Sequence, residues 1–240
     1  MKKTIVLKSL LLGLCLCLTA GAFAQRQMEN LGRGVVAIRQ ADGVFVSWRL
    51  LGTEPMDLGF NVYRQTGSQK AVKLNDKPLT GPTNFVDRTA DLSQANSWYV
   101  CAVQKRKESA PSKAYTLPAN APVQQYVSIP LRTPERYSPN DCSVGDLDGD
   151  GDYELIVHMA GRGIDNPSNG FSDIPIFQAY ELDGTFLWEI NLGVNIREGA
   201  HYTQFMVADL DGDGKAEFAC KTGDGTKDAL GNVIGDGTKD

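Results

Sequence analysis

Hydrophobic and polar positions alternate in short runs along most of this chain. After the first 24 residues, no stretch repeats its apolar positions with the period of a helix. The alternation is clearest around Phe45 and Tyr99, and Asp42-Gly43 is a hairpin-type turn. The pattern therefore predicts an all-β chain. Its first part is predicted to contain strands over residues 34–38, 44–48, 59–64 and 97–103.

The strand rhythm of the first part is typical of a β-sandwich. Trp48 and the later pattern Tyr99-x-Cys101-x-Val103 resemble the fibronectin type III module, in which a strand tryptophan packs the core and a tyrosine ties down a loop. We predict a fibronectin type III-like sandwich over residues 25–118. Since nothing in its sequence suggests chemistry, its predicted role is that of a spacer.

The second part, residues 119–240, is predicted to be the start of a β-propeller. A linker over residues 117–122 precedes a predicted strand at 125–131, and a hairpin is predicted from 177–182 and 186–192. Four short strands in about 40–50 residues is the spacing of a propeller blade. Only about two blades fit, whereas a closed propeller needs at least four, so we expect an incomplete propeller and a truncated chain.

One acidic sequence occurs twice, 63 residues apart, and each copy runs directly into a predicted strand. Carboxylates at alternating positions, with glycines that allow tight curvature, form an oxygen-rich site typical of Ca²⁺. The spacing starts like an EF-hand loop, but Val157 stands where that loop has its bidentate glutamate. The predicted ligands are Asp146, Asp148, Asp150, Asp152 (by its carbonyl) and Glu154 in the first copy, and Asp209, Asp211, Asp213, Lys215 (by its carbonyl) and Glu217 in the second.

Calcium is favoured over magnesium because the loops offer many flexible oxygens and little room for retained waters. An ion that holds a loop in place is favoured over an ion that takes part in a reaction. A merely solvated acidic turn is the other alternative, but closely spaced carboxylates would repel one another without a counter-ion.

The first 24 residues have the features of a cleavable signal peptide. Lys2 and Lys3 precede an apolar run over residues 7–18, and Ala22-Phe-Ala24 is a small-residue cleavage site. The run is shorter than the ~20 residues that span a bilayer. We therefore expect a secreted or periplasmic protein, with no membrane attachment after cleavage.

Charge limits the class of binding partner, and the cysteine count bears on whether disulfides form. Without the first 24 residues, 21 Lys and Arg stand against 29 Asp and Glu, a net charge of −8. Such a chain is a poor partner for nucleic acid or an anionic membrane. Cys101, Cys142 and Cys220 remain, and their odd number favours buried free thiols over a disulfide framework.

Three segments resemble a known enzyme family. Residues 195–226, which include both His201 and the second acidic copy, are similar to the bacterial rhamnogalacturonan lyases of polysaccharide lyase family 11, as are residues 140–150 and 179–188. The resemblance implies an eight-bladed propeller, several structural calcium ions and a fibronectin-like N-terminal domain. It also implies β-elimination in the rhamnogalacturonan I backbone of pectin, with cleavage at C4 of galacturonate after removal of the C5 proton.

Within this resemblance, His201 is a candidate general base and Arg197 a candidate partner for a substrate carboxylate. Two alternatives stay open: a histidine that only supports a loop, and an arginine that pairs with Glu198. Asn140 is a candidate contact for sugar and Asp141 for metal. The main base is expected beyond residue 240.

Two further hypotheses remain. A non-catalytic calcium-binding propeller, for adhesion or carbohydrate binding, would account for the acidic copies and the export signal. A glycoside hydrolase would need two carboxylates across the scissile bond, and the visible acids are better used as ligands. His158 is predicted to be buried structure, and a monomer is expected.

Overall fold

The computed structural model describes residues 29–164, 167–199 and 201–239; the predicted signal peptide lies outside them. Within these ranges all regular elements are β-strands, which confirms the predicted all-β class. The same residues include no helix long and apolar enough to cross a membrane.

The strands of the first part are β1 (Val36–Gln40), β2 (Gly43–Ser47), β3 (Gly59–Thr66), β4 (Val72–Lys73), β5 (Leu79–Thr80), β6 (Asn84–Asp87), β7 (Asn96–Gln104), β8 (Lys107–Glu108) and β9 (Tyr115–Leu117). Those of the second part are β10 (Ser138–Gly145), β11 (Glu154–Ala160), β12 (Ile176–Tyr180), β13 (Phe186–Asn191), β14 (Phe205–Ala208), β15 (Glu217–Cys220), β16 (Thr226–Lys227) and β17 (Val233–Ile234).

The first part is built from two antiparallel sheets that share one hydrophobic core. One sheet has the order β1-β2-β6 and the other β4-β3-β7-β8, with β5 beside β3 and β9 beside β7. Alternate residues point inward, so Val46 of β2 meets Val62 of β3 and Trp98 of β7 in that core. Trp48 packs there as predicted, with its ring 5.5 Å from that of Phe60. The likeness to a fibronectin type III module stays a prediction.

The segment between the two parts is irregular, so the strand predicted over residues 125–131 is wrong. Pro130 interrupts this segment and has no N–H to donate to a strand ladder. Side chains hold the segment instead: the Tyr180 hydroxyl accepts a hydrogen bond from the Arg132 N–H at 2.8 Å, and Gln178 donates to the Arg132 carbonyl at 3.1 Å.

The second part begins with a four-stranded antiparallel meander, β10-β11-β12-β13, which β16 and β17 extend at one edge. Strands β14 and β15 form a separate hairpin beside it. The meander includes the hairpin predicted around Asp183-Gly184. It has four strands, the number in a propeller blade, and the propeller itself stays a prediction.

An aromatic cluster joins the meander to the β14–β15 hairpin. Phe177 of β12 is fully buried, and its ring centre lies 4.9 Å from that of Phe205 and 5.0 Å from that of Phe218. Phe218 also contacts Trp188 of β13 at 5.5 Å. Because these rings come from both sheets, their contacts hold the meander and the β14–β15 hairpin together.

The cysteines of the described residues are free, as predicted. Cys101 is buried, but Cys142 is exposed, so its predicted burial is wrong. The reason is that β10, the strand that carries Cys142, lies at the edge of its sheet.

Replacing Phe177 by alanine is expected to lower the free energy of unfolding by about 3–5 kcal/mol, since it empties the centre of the aromatic cluster. The matched control is Phe171→Ala, because Phe171 is 88% exposed; its expected effect is within about 0.5 kcal/mol. Urea denaturation of both variants measures the difference. Equal losses would contradict the assigned packing.

Candidate functional site

The two acidic copies form the tips of two neighbouring β-hairpins. Tip 1 (residues 146–154) connects β10 to β11 and includes the first residue of β11. Tip 2 (residues 209–217) connects β14 to β15 and includes the first residue of β15. The strand pairs close at Gly145↔Glu154 and at Ala208↔Glu217, so each glutamate opens a strand directly after its loop.

Tip 1 is folded around the carboxylate of its first aspartate. Asp146 accepts hydrogen bonds from the N–H groups of Gly149, at 2.7 Å, and Gly151, at 2.9 Å. Both glycines are left-handed, with φ of 84° and 88°, a conformation that disfavours residues with a side chain. The alternating glycines are therefore needed for the loop to curl around Asp146.

Tip 2 repeats these contacts residue for residue. Asp209 accepts from Gly212 at 2.6 Å and from Gly214 at 3.1 Å, and both glycines are again left-handed. The backbone N–H of Leu210 donates to Glu217 at 2.7 Å, as that of Leu147 donates to Glu154 in tip 1.

Each tip gathers three carboxylates that could hold a hard cation. One oxygen from each side chain lies within 4.8 Å of the other two; the groups are Asp146, Asp148 and Glu154 in tip 1 and Asp209, Asp211 and Glu217 in tip 2. In tip 1, Oε1 of Glu154 is buried and has no hydrogen-bond partner. A buried carboxylate oxygen without a partner is costly unless a cation compensates it, so these residues fit a metal ion.

Other predicted ligands have different contacts. Asp150 and Asp152 pair with Lys113 of the first part, at 2.9 and 2.7 Å. Asp213 accepts a hydrogen bond from the N–H of Lys215 at 2.9 Å. The ligand role of the Asp152 and Lys215 carbonyls stays a prediction.

Electrostatics differ between the two tips because tip 1 is more deeply buried. Burial raises the pKa of Glu154 to about 7. The hydrogen bond from the Leu147 N–H lowers this pKa, whereas repulsion by Glu181 and the tip aspartates raises it. Burial, followed by Asp148 and Asp150, also raises the pKa of Glu181. Glu181 was not predicted from the sequence, because only the pairing of β11 with β12 brings it near tip 1.

The first part contacts both tips. Gly32 N–H donates to the Gly151 carbonyl at 2.7 Å, and Asn30 N–H donates to the Gly214 carbonyl at 3.2 Å. The guanidinium of Arg49 also reaches the Gly151 carbonyl, at 3.2 Å. With the Lys113 ion pairs, these contacts hold the sandwich against the two tips, a role beyond the predicted spacer.

The candidate catalytic residues lie toward the opposite ends of the same hairpins. His158 follows Glu154 by four residues of β11, or about 13 Å along an extended strand. Asn140 and Asp141, the candidate contacts for sugar and metal, lie inside β10. They form an exposed bulge between Pro139↔Met159 and Cys142↔Val157, opposite His158. Asp141 belongs to neither carboxylate group found in the described residues.

A buried pair supports the loop that carries Arg197. Nε2 of His158 lies 2.9 Å from the Glu198 carboxylate, and both side chains are 3% exposed. His158 is buried, as predicted, while the alternative in which Glu198 pairs with Arg197 is wrong. Arg197 instead donates to the Ser168 carbonyl.

Two cations flank the ring of Tyr202. Arg197 lies 5.6 Å from the ring centre and the Lys221 amine 5.5 Å from it. We call Arg197, Tyr202 and Lys221 the cationic surface; His201 is exposed and next to Tyr202 in the chain. Tyr202 and Lys221 were not predicted as site residues, although both lie within the 195–226 segment. The hairpin brings them together, because Tyr202 precedes β14 and Lys221 follows β15.

Without metal, stability is expected to fall as the pH rises from about 4.5 to about 7. Native Glu154 retains its proton up to a pKa of about 7, against an ordinary value of 4.5, so the native state binds more protons than the unfolded state in this range. Glu154→Gln should flatten the fall, whereas Glu135→Gln at an exposed position should keep it. Melting temperatures in chelator across this range test the prediction, and the same slope in both variants would contradict it.

Comparisons with known proteins place these features in a family. The model of rhamnogalacturonan lyase family 11, C-terminal domain, matches residues 116–240, and that of the rhamnogalacturonan I lyases beta-sheet domain matches residues 26–117. The rhamnogalacturonan endolyase YesW of Bacillus subtilis (strain 168) is 47% identical over 242 residues, which cover 96% of this chain and 37% of YesW.

A second relative and a solved structure agree with this match. The rhamnogalacturonan exolyase YesX of the same organism is 46% identical over 88% of this chain and 35% of its own length. The structure of a Bacillus licheniformis rhamnogalacturonan lyase is 50% identical, with a TM-score of 0.78, over 90% of this chain and 37% of that one. The chain thus spans little more than a third of these relatives' length, and it belongs to rhamnogalacturonan lyase family 11.

Proposed function

We propose that this chain is part of a secreted, monomeric rhamnogalacturonan lyase that cleaves the rhamnogalacturonan I backbone of pectin by β-elimination. The observation that carries the proposal is the pair of cations around Tyr202, in a chain whose relatives are named for this class of substrate. The apolar first 24 residues support export. The meander and the neighbouring hairpin support the first blades of a propeller.

The cationic surface suits the charge that develops in the reaction. A base takes the C5 proton of galacturonate, the C–H electrons form the C4–C5 double bond, and the C4–O bond breaks to an oxygen that receives a proton. Negative charge grows on the uronate carboxylate as the proton leaves. The planar guanidinium of Arg197 and the amine of Lys221 would bind that carboxylate and stabilise the enolate-like transition state.

His201 is the base candidate of this chain, since a neutral imidazole can accept a proton near neutral pH. Its exposure leaves it open to a bound polymer. The buried His158–Glu198 pair would act indirectly, by positioning the loop from which Arg197 projects. Asn140, on the exposed bulge, would contact sugar hydroxyls.

Calcium is the proposed occupant of both tips, because the donors are all oxygens in flexible loops. A bound Ca²⁺ supplies positive charge that compensates the clustered carboxylates. The tips lie at the far ends of the two hairpins from the cationic surface, which supports a structural role. Asp146 and Asp209 order the loops through their glycine hydrogen bonds, and Glu154 and Glu217 tie each loop to the start of a strand.

Protein from the complete reading frame is expected to release unsaturated uronate from rhamnogalacturonan I, seen as rising ultraviolet absorbance. Chelation should abolish the rise and lower the melting temperature. Ca²⁺ added back at about 100 times its dissociation constant should increase the free energy of unfolding by about 2.7 kcal/mol. A folded, calcium-loaded protein that leaves the polymer intact would refute the lyase and favour a binding propeller. New reducing ends without a double bond would indicate a hydrolase.

Replacing Arg197 or Lys221 by alanine is expected to lower kcat about 10²–10³-fold, the usual loss when one transition-state donor is removed. The calcium-dependent rise in melting temperature should be kept in Lys221→Ala, since this residue is remote from both tips. The matched control is Lys227→Ala, an exposed residue of β16, with unchanged kcat. Equal activity of Lys221→Ala and Lys227→Ala would show that Lys221 takes no part in the reaction.

A further inference from the structure

The two parts of the chain carry opposite charge. Residues 29–117 contain 12 Lys and Arg against 8 Asp and Glu, a net charge of +4, whereas residues 118–240 contain 8 against 21, a net charge of −13. Arg49 and Lys113 use some of this positive charge to contact tip 1. Lys105, Arg106 and Lys107 are exposed and form no ion pair with any carboxylate of the described ranges.

These three cations lie at the turn of the β7–β8 hairpin. A two-residue turn joins Gln104 to Lys107, and both of its residues are left-handed: φ is 49° at Lys105 and 67° at Arg106. Two-residue hairpin turns of this type strongly prefer Asn-Gly, because a side chain disfavours positive φ. The chain thus places two long cationic side chains where backbone conformation alone would favour neither, which is typical of a position retained for function.

The hairpin borders a groove on the outer face of the sandwich. Phe60 and Val62 of β3 point into the core, so Asn61 and Tyr63 lie on the other face of the sheet, where Asn61 is itself buried. The groove has a volume of about 410 Å³, within the range of small-molecule sites. Asn61 lies among its lining residues, with Lys73 contributed by β4 and Arg106 by the hairpin turn.

The remaining groups of the groove suit a sugar. Glu108 accepts hydrogen bonds from the Asn61 amide and from the Tyr63 hydroxyl, at 2.9 Å to the nearer oxygen. These bonds lower the pKa of Glu108, which keeps it an acceptor for hydroxyl groups. Outside the groove lining, the rings of Tyr63 and Tyr99 stack with their centres 5.1 Å apart, so each covers one face of the other.

We propose that this groove of the sandwich binds acidic polysaccharide, with uronate carboxylates at Lys73 and Arg106 and sugar hydroxyls at Glu108. The inference rests on the proposed function only for the choice of rhamnogalacturonan I as the polymer. Nucleic acid suits the groove less well, because Glu108 and Asp57 would face its closely spaced phosphates. A polymer that contains both charged and neutral sugars suits a groove that contains both cations and hydrogen-bonding groups.

The decisive variant is Lys105→Asn with Arg106→Gly, which installs the preferred turn and removes both cations. Its dissociation constant for rhamnogalacturonan I fragments should rise at least about tenfold, the loss of one charge-assisted hydrogen bond. Its melting temperature should rise by about 2 °C or more, since the turn is relieved of strain. A lower affinity in a more stable protein separates a binding role from a folding defect.

Calorimetric titration of the calcium-loaded full protein provides the measurement. Lys73→Gln should also weaken binding. Lys70→Gln should not, because Lys70 does not line the groove and lies near the other end of the sheet, where Thr66 pairs with Asn96. Unchanged affinity of the turn variant relative to Lys70→Gln would overturn the proposal. So would binding of single-stranded DNA or dextran sulfate as tight as that of the uronate polymer.

The two proposals fail separately. If the protein releases no unsaturated uronate but the turn variant still loses polymer binding, the lyase is refuted and the groove stands. If the turn variant binds polymer as the unmodified protein does while unsaturated uronate is released, the groove is refuted and the lyase stands.

Discussion

The buried carboxylates of tip 1 constrain the rest of the structure. Asp146 and Glu154 are fully buried at one place, and one oxygen of Glu154 has no protein partner. Two negative charges in this loop are unfavourable unless a cation compensates them or Glu154 keeps its proton. Neighbouring elements depend on that loop: the backbone of Ala216 in tip 2 donates to the Asp146 carbonyl at 2.7 Å, and Gly32 of the sandwich entry bonds to Gly151.

The candidate metal ligands and the candidate catalytic residues lie at opposite ends of the strands. The tips hold carboxylates and glycines in a repeated hydrogen-bond pattern, whereas the open ends carry Arg197, Tyr202 and Lys221. Between them lie Phe177 and its aromatic neighbours, which couple the hairpins through packing. This arrangement would let an ion stabilise the site without touching substrate, because strand stiffness transmits the position of the tip to the opposite end.

Part of the candidate site could be predicted from sequence because it is local. Each acidic tip is contained in nine consecutive residues, and alternating carboxylates and glycines act on one another across a few bonds. Glu181, Tyr202 and Lys221 were missed because their places depend on strand pairing and on hairpin closure. The strand predicted over 125–131 failed for a similar reason: alternation was present, but Pro130 and side-chain contacts from Tyr180 and Gln178 decided otherwise.

The sequence by itself determined the all-β class, the two acidic loops with their candidate ligands, and a family resemblance that the comparisons confirm. These features depend on period-two alternation, on turn residues and on motifs within short stretches. Only the tertiary structure decided that the two tips lie side by side, that the sandwich contacts both, and that Glu198 pairs with His158 rather than with Arg197. Such pairings join residues up to about a hundred positions apart, as in Arg49 with Gly151. They depend on how sheets stack and bury charge, which no local pattern encodes.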